Sequence, residues 1–146
     1  MAKVIAVCIS EIRGIPKHPV EALHLIPGHG IEGDAHAGNW HRQVSLLAKE
    51  SVATMQSKID VILEPGVFAE NVLTEGIELK TLPIGTQLKL GTALGEVTQI
   101  GKECHAHCAI RQQVGDCVMP REGIFIKVLE EGTVRPGDEI RVVKKA

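Results

Sequence analysis

Short runs in which apolar and polar residues alternate recur along most of the chain. Alternation with a period of two, bounded by glycine, proline or asparagine, is typical of β-strands that bury one face. Such alternation, or a short run rich in Val, Ile and other apolar residues, predicts strands over residues 3–10, 21–26, 43–47, 86–90, 96–100, 124–129 and 139–143. Many short strands separated by turn residues indicate a mainly β domain whose sheet is closed or nearly closed into a barrel.

One segment changes this period. Over residues 48–58, apolar side chains recur at the spacing of one helix face, so we expect a helix there. The sequence at 135–138 predicts a type II turn, because proline presets its first corner and glycine accepts the positive φ of its second. No internal repeat or linker divides the 146 residues, so we expect a single domain over 1–146.

Composition excludes several classes of partner. The formal net charge is −2, which provides no excess of cations to displace counterions from a nucleic acid. Phe68, Phe125 and Trp40 are the only aromatic residues, too few to form a platform for stacked bases. No apolar stretch has the roughly 18 residues of a membrane span, and the first residues have the pattern of a strand rather than of a signal peptide. We therefore expect a cytoplasmic protein with reduced cysteines that binds neither nucleic acid nor membrane.

Two cysteines and two histidines lie within five consecutive residues: Cys104, His105, His107 and Cys108. Thiolates are nucleophiles and soft metal ligands, and imidazoles accept protons or bind metal ions. This stretch is therefore the first candidate for the chemistry of the protein. Cys8 lies inside the first predicted strand, where we expect a buried core thiol.

Residues 28–44 form a second candidate segment, in which glycines alternate with charged and imidazole side chains ahead of a strand. Glycine tolerates positive φ and lets a ligand approach the backbone. Asp34, His36, His41 and Arg42 would then converge with backbone N–H groups on an anion such as a phosphate. A surface loop with self-capping Asp and Asn has the same composition, so the segment by itself leaves both interpretations open.

Taken in order, these segments resemble the MOSC domain, the C-terminal domain of molybdenum-cofactor sulfurases. The motif Gly30-Ile-Glu-Gly-Asp-Ala-His-Ala-Gly38 is followed by His41-Arg-Gln-Val-Ser-Leu-Leu47. The resemblance continues through residues 65–73 and 82–91, the region of Cys108, and residues 134–140. It spans nearly the whole chain, which is identified as a small stand-alone member of bacterial type.

The resemblance implies a β-barrel with a few short helices that binds the molybdenum cofactor, a pterin with a phosphate tail, or carries sulfur destined for it. Cys108 best fits the position of the family's central cysteine, which carries a persulfide or ligates molybdenum. The candidate cofactor-binding residues are Asp34, His36, Arg42, Asn71, Lys102 and Arg121. Cys104, His105 and His107 lie outside the family pattern and leave a further metal site open.

Three functions stay open. The first is a molybdopterin-binding or sulfur-carrier domain, sulfurtransferase-like, with a sulfur-donor protein and an acceptor enzyme as partners. The second is a molybdenum-dependent oxidoreductase that reduces N-oxygenated compounds. The third is a zinc-binding structural module through Cys104, His105, His107 and Cys108, a spacing that is tight for one tetrahedral ion. The aminotransferase-like domain that holds pyridoxal phosphate in full sulfurases is missing, so we expect that cofactor only on a separate partner.

Overall fold

The computed structural model describes residues 2–12, 15–57, 62–101 and 123–145. Its strands are β1 (Lys3–Ile9), β2 (His18–Val20), β3 (Leu23–Ile26), β4 (Gly30–Ile31), β5 (Val44–Ala48), β6 (Val72–Glu75), β7 (Gln87–Leu90), β8 (Ala93–Ile100), β9 (Ile124–Glu130), β10 (Gly132–Val134) and β11 (Ile140–Lys144). One α-helix of the described chain, α1 (Lys49–Gln56), follows β5, and a 3-10 turn spans Leu79–Thr81. The predicted mainly β class is confirmed.

Each of the predicted strands overlaps an observed one, and α1 lies within the predicted helix. The predicted turn before β11 is also present. The amide of Asp138 donates to the carbonyl of Arg135 over 3.1 Å, and Gly137 has a φ of +93°. This is the left-handed conformation that the third residue of a type II turn requires.

The strands form two sheets. The larger has the order β11-β7-β8-β9-β5-β6-β1-β2, and the smaller has the order β10-β3-β4. All neighbouring strands are antiparallel except β5 and β6. An isolated bridge joins Lys3 to Glu139, and the amide of Val4 donates to Asp138 O over 2.8 Å. The start of β1 therefore meets the segment before β11. Among the described strands no ladder closes the sheet, and the predicted barrel is not confirmed.

Strand β5 is buried on both faces and joins two apolar cores. Val44 and Leu46 belong to the larger core, which contains residues of both sheets. Leu47 packs on the opposite side with Met55 of α1 and with Phe68. Burial of a large apolar side chain contributes roughly 2 kcal/mol through the removal of apolar surface from water. The two cores therefore fix β5, and with it the position of the segment that precedes it.

Candidate functional site

A buried lysine lies between the end of β1 and the glycine-rich segment. The Nζ of Lys17 lies 2.7 Å from Asp34 Oδ1, 3.0 Å from His36 Nδ1 and 3.4 Å from Ser10 Oγ. The side chains of Lys17 and Asp34 are both fully buried. A buried ammonium is tolerated only when it is paired and hydrogen-bonded. These contacts therefore fasten the glycine-rich segment to the end of β1.

Asp34 is the acceptor at the centre of this cluster. Its Oδ1 also accepts from the amide of Ser10 over 3.2 Å, and its Oδ2 accepts from the amide of His36 over 3.0 Å. Burial alone would raise the pKa of Asp34. The contact with the His36 side chain and the charge and hydrogen bond of Lys17 outweigh burial and hold that pKa well below its usual range. The carboxylate is therefore ionised and positions the residues around it.

His36 lies where this buried cluster reaches the surface, and its side chain is 19% exposed. Trp40 Nε1 donates to the carbonyl oxygen of His36 over 2.7 Å. The two rings are parallel within 3°, with centroids 6.5 Å apart. The ring of His41 meets the Trp40 ring edge-on at 5.8 Å. Imidazole and indole groups thus lie side by side at the edge of the site.

Arg42 also lies near Trp40 and is held by three groups. Its Nε donates to Gln99 Oε1 over 2.9 Å. Its guanidinium carbon lies 6.0 Å from the ring centroid of Trp40 and 5.5 Å from that of Phe125. These are distances at which a cation is attracted to an aromatic face. Arg42 is therefore fixed in place rather than freely extended into solvent.

Gln99 connects Arg42 to the segment that contains the cysteine and histidine cluster. Its Nε2 donates to the carbonyl of Gly101 over 2.7 Å, and its Oε1 lies 2.9 Å from His41 Nε2. The amide of Gly101 donates to Gly123 O over 2.6 Å. The two described residues that flank positions 102–122 are thus adjacent, and the first of them contacts the residue that orients Arg42.

Six of the candidate site residues lie outside the described residues: Lys102, Cys104, His105, His107, Cys108 and Arg121. The sequence also predicts that Asp34, His36 and Arg42 border the same cleft as Cys108, and this stays a prediction. In the ranges that the structure describes, no three His, Cys, Asp or Glu side chains are arranged to hold a metal ion. No helix in those ranges is both long and apolar enough to cross a membrane.

Asn71 is fully buried among backbone and side-chain partners. Its Oδ1 accepts from the amide and hydroxyl of Ser45 over 3.0 and 3.1 Å, and its Nδ2 donates to the carbonyl of Cys8 over 3.0 Å. The side chain therefore ties β5 to β1. Its predicted contact with a cofactor stays a prediction.

Glu70 and Cys8 are two further buried ionisable residues, and the charge of Lys17 acts on both. The Glu70 carboxylate accepts from the amides of Gly66 and Phe68 over 2.8 and 3.1 Å. Burial raises its pKa to about 7, against the opposing effect of these hydrogen bonds and of Lys17. Burial, with the charge of Glu70, raises the pKa of the Cys8 thiol to about 12. Cys8 is thus a protonated, fully buried thiol, as expected for a core residue.

Comparisons with known proteins agree with this fold. The sequence profile of the MOSC domain matches residues 33–141. The YflK protein of Bacillus subtilis (strain 168) is 25% identical over 142 residues, which cover 90% of this chain and 64% of YflK. The chain thus spans less than two thirds of the length of this relative.

Solved structures with a similar fold include the following three. YuaD from Bacillus subtilis has a TM-score of 0.77 and 20% identity, with 97% of this chain and 96% of YuaD covered. YiiM from Geobacillus stearothermophilus has a TM-score of 0.77 and 20% identity, with 99% of this chain and 76% of YiiM covered. YiiM from Escherichia coli has a TM-score of 0.73 and 19% identity, with 100% of this chain and 71% of YiiM covered. At such identities the similarity demonstrates a common fold alone.

Proposed function

The chain belongs to the MOSC domain family, and on that premise we propose that it binds the molybdenum cofactor through a site that includes Cys108. The cysteine either ligates molybdenum or carries sulfur destined for it. One observation supports this proposal above the others. Gln99 contacts both Arg42 and Gly101, which brings an oriented cation next to the base of the segment in which Cys108 lies.

The described side chains fit the chemistry of this cofactor. A pterin with a phosphate tail offers a planar ring and many hydrogen-bond acceptors. Among the described residues, Arg42 donates a hydrogen bond to Gln99 through Nε. Both terminal nitrogens therefore stay available for a bidentate contact with an oxyanion. The ring of Trp40 lies near this guanidinium, and the ring of His36 is parallel to that of Trp40. We assign the phosphate or pterin edge to Arg42 and His36.

The thiol of Cys108 supplies the soft ligand or nucleophile in this proposal. Only the thiolate performs either role, and neighbouring cations lower the pKa of a cysteine. Lys102 and Arg121 belong to the same stretch of sequence and extend the set of cations for the phosphate. Cys104, four positions earlier, is placed in sequence to resolve a persulfide or disulfide. When bound, the cofactor would supply a metal centre whose oxidation state or sulfur ligands change.

We also infer that the large sheet closes into the β-barrel that the family resemblance implies. Beside the bridge from Lys3 to Glu139, the amide of Ile140 donates to Ala2 O over 3.1 Å. The start of each of these two strands, β1 and β11, is therefore hydrogen-bonded to the residues that precede the other strand. Slow amide exchange at Val4 and Ile140, comparable to that of central strands, is the expected result. Rapid exchange at both would contradict closure.

The proposed function is tested by metal and pterin analysis of protein made in a molybdenum-replete host. Wild-type protein and Cys8→Ser should retain molybdenum and pterin or accept sulfane sulfur, and Cys108→Ser should lose that capacity. Full occupancy and sulfur loading in Cys108→Ser would contradict the proposal. Zinc in place of molybdenum, lost from Cys104→Ser and Cys108→Ser alike, would indicate a structural zinc module. Supplying the loaded protein with an N-oxygenated compound and an electron donor separates a reductase from a sulfur carrier.

A further inference from the structure

A cavity of about 300 Å³ lies where β7 and β11, at one edge of the large sheet, meet β10 of the small sheet. Its charged lining consists of Lys89, Arg135, Asp138, Glu139 and Arg141. Thr92, also in the lining, directly precedes β8, whereas Gln99 of the candidate site lies near the end of that strand. A strand rises about 3.3 Å per residue, so the cavity and the candidate site are roughly 20 Å apart. The two are separate places in the fold.

Two cations of this lining stand directly opposite each other. Lys89 of β7 and Arg141 of β11 are Cα partners in an antiparallel ladder, and both residues are exposed. Like charges at directly opposite positions destabilise a sheet. Neither side chain has a hydrogen bond or an ion pair with another described residue. The folded chain therefore leaves a repulsion between these two cations without compensation.

Three other exposed lysines have carboxylate partners. Lys3 and Lys49 lie 3.6 and 3.2 Å from Glu75, and Lys127 of β9 lies 3.4 Å from Glu96. Surface cations of this protein are thus neutralised in several places. The pair of cations at the cavity differs from them, and an anion bound between the two would supply the missing countercharge.

Arg135 is the third cation, and the turn before β11 fixes its backbone. Its amide donates to Asp138 Oδ2 over 2.7 Å, and its carbonyl accepts from the amide of Asp138 over 3.1 Å. One carboxylate oxygen of Asp138 is thereby committed to the backbone. Glu139 is the other carboxylate, and it forms no ion pair within the described part of the chain. Three cations and two carboxylates leave the lining with an excess of positive charge.

We propose that this cavity binds a phosphoryl group, as inorganic phosphate or as a small phosphate monoester, at Lys89, Arg135 and Arg141. Guanidinium groups match phosphate oxygens with paired N–H donors, and a lysine adds a point charge. A volume of about 300 Å³ is at the lower end of small-molecule sites, which suits a compact ligand. The proposal is independent of the proposed function, because none of these three residues belongs to the candidate site.

Phosphate binding is measured by NMR on ¹⁵N-labelled wild-type protein free of cofactor, with phosphate replacing chloride at constant ionic strength. The amides of Gly91 and Thr133, two residues of the lining, should shift along a saturation curve. Shifts without saturation, or saturable shifts confined to Trp40 and Gln99 in the candidate site, would overturn the proposal. Glycerol 3-phosphate is titrated in the same way. Tighter binding than that of inorganic phosphate indicates a monoester as the ligand, and weaker binding indicates free phosphate.

Variants of the lining should change the affinity in opposite directions. Lys89→Gln and Arg135→Gln should each weaken phosphate binding about threefold, the size of one exposed ion pair. Glu139→Gln should strengthen binding, because it removes a charge that repels the anion. Lys127→Gln alters the net charge as Lys89→Gln does, but outside the cavity, and should bind phosphate like wild type. Equal affinities in all variants, or equal weakening in Lys127→Gln and Lys89→Gln, would refute a site at this cavity.

Thermal unfolding tests the repulsion itself. At low ionic strength and without phosphate, Lys89→Gln should melt at a higher temperature than wild type, because the opposed cations are no longer both present. Phosphate should then raise the melting temperature of wild type more than that of Lys89→Gln, since a ligand stabilises only the state that binds it. A lower melting temperature of the variant without phosphate, or an equal increase in both proteins, would contradict the proposal.

Discussion

The Nζ of Lys17 lies 2.7 Å from Oδ1 of Asp34, and neither side chain is accessible to solvent. The pair joins the residue before β2 to the segment after β4, and Ser10 at the end of β1 hydrogen-bonds to both. Because the charges are removed from water, each is costly without the other. Removing one charge of the pair should therefore destabilise the protein more than removing both.

We expect Lys17→Met to lower the free energy of unfolding by about 3–5 kcal/mol, the usual cost of leaving one member of a buried ion pair. Adding Asp34→Asn should recover a large part of that loss. Urea unfolding measures both. Lys3→Met is the matched control, because Lys3 pairs with Glu75 at 3.6 Å with both side chains partly exposed, and it should cost less than about 1 kcal/mol. Equal losses for Lys17→Met and Lys3→Met would show that burial of the pair is unimportant.

The carboxyl of Glu70 should make stability depend on pH with the sign opposite to that of Asp34. Its pKa in the folded protein is raised from 4.5 to about 7, so the folded state binds this proton more tightly than the unfolded state. Its contribution is fully present below pH 4.5 and is lost as the pH rises through 7. For Asp34 the folded pKa is lowered, so its contribution is present above pH 3.8 and is lost as the pH falls through the lowered value.

The comparison that isolates Glu70 is the difference in unfolding free energy between wild-type protein and Glu70→Gln, measured from pH 4.5 to 7. This difference should shift by a few kcal/mol in favour of the variant as the pH rises, because glutamine does not ionise. Glu64→Gln alters an exposed side chain nearby and should keep the wild-type profile. A pH-independent difference for Glu70→Gln would mean that its carboxyl titrates as it does in the unfolded chain.

Gly66 and Gly33 have almost the same φ, +90° and +85°, but different surroundings. A Cβ at Gly66 would clash with the carbonyl of Lys17 and lie 3.2 Å from Cys8 Sγ, whereas a Cβ at Gly33 meets open space. Gly33→Ala should therefore cost about 1 kcal/mol through backbone strain alone. Gly66→Ala should cost at least twice that amount. Thermal unfolding of the two variants checks the order, which similar melting temperatures would contradict.

Loss of the Gln99 side chain should release Arg42 without unfolding the protein. Gln99→Leu removes the acceptor of Arg42 Nε and the donor to Gly101 O. We expect molybdenum cofactor retention to fall several-fold, because an unfixed guanidinium loses more entropy on binding, with a melting temperature close to that of wild type. Arg42→Lys should cause a similar loss, since lysine lacks the bidentate fork. Arg141→Lys, exposed on β11, is the control and should retain the cofactor fully.

Most of the predicted strands have buried residues that alternate with more exposed ones, and β5, buried on both faces, was predicted from a short apolar run. Strand β6 was missed because it lies between β5 and β1 with Val72, Leu73 and Thr74 all buried, so no alternation marks it. Strands β2, β4 and β10 have two or three residues, too few for any period to appear. Closure of a sheet depends on contacts between the two ends of the chain, such as that of Lys3 with Glu139, which no local pattern contains.

In the candidate site, too, local sequence patterns identify some residues, and contacts between distant residues are missed. Asp34, His36 and Arg42 were named as candidates because glycines and charged residues alternate within one short segment. Lys17 and Gln99 were missed because their partners are 17 and 57 residues away, and neither stands in a recognisable motif. Their roles arise only when the end of β1 and the end of β8 are brought to the same segment by the sheet. The residues that orient the site are therefore less visible in sequence than those they orient.

The backbone hydrogen bond between Gly101 and Gly123 gives positions 102–122 a fixed base on β8 and β9. Since β8 and β9 are already paired through their own ladder, the register of the sheet does not depend on what is inserted between them. The entropy of closing a loop grows only slowly with its length, by about 0.6 kcal/mol for each doubling. Substitutions, insertions or deletions within positions 102–122 should therefore leave the pairing of β8 with β9 intact, so the chemistry proposed for that stretch is separable from the architecture that carries it.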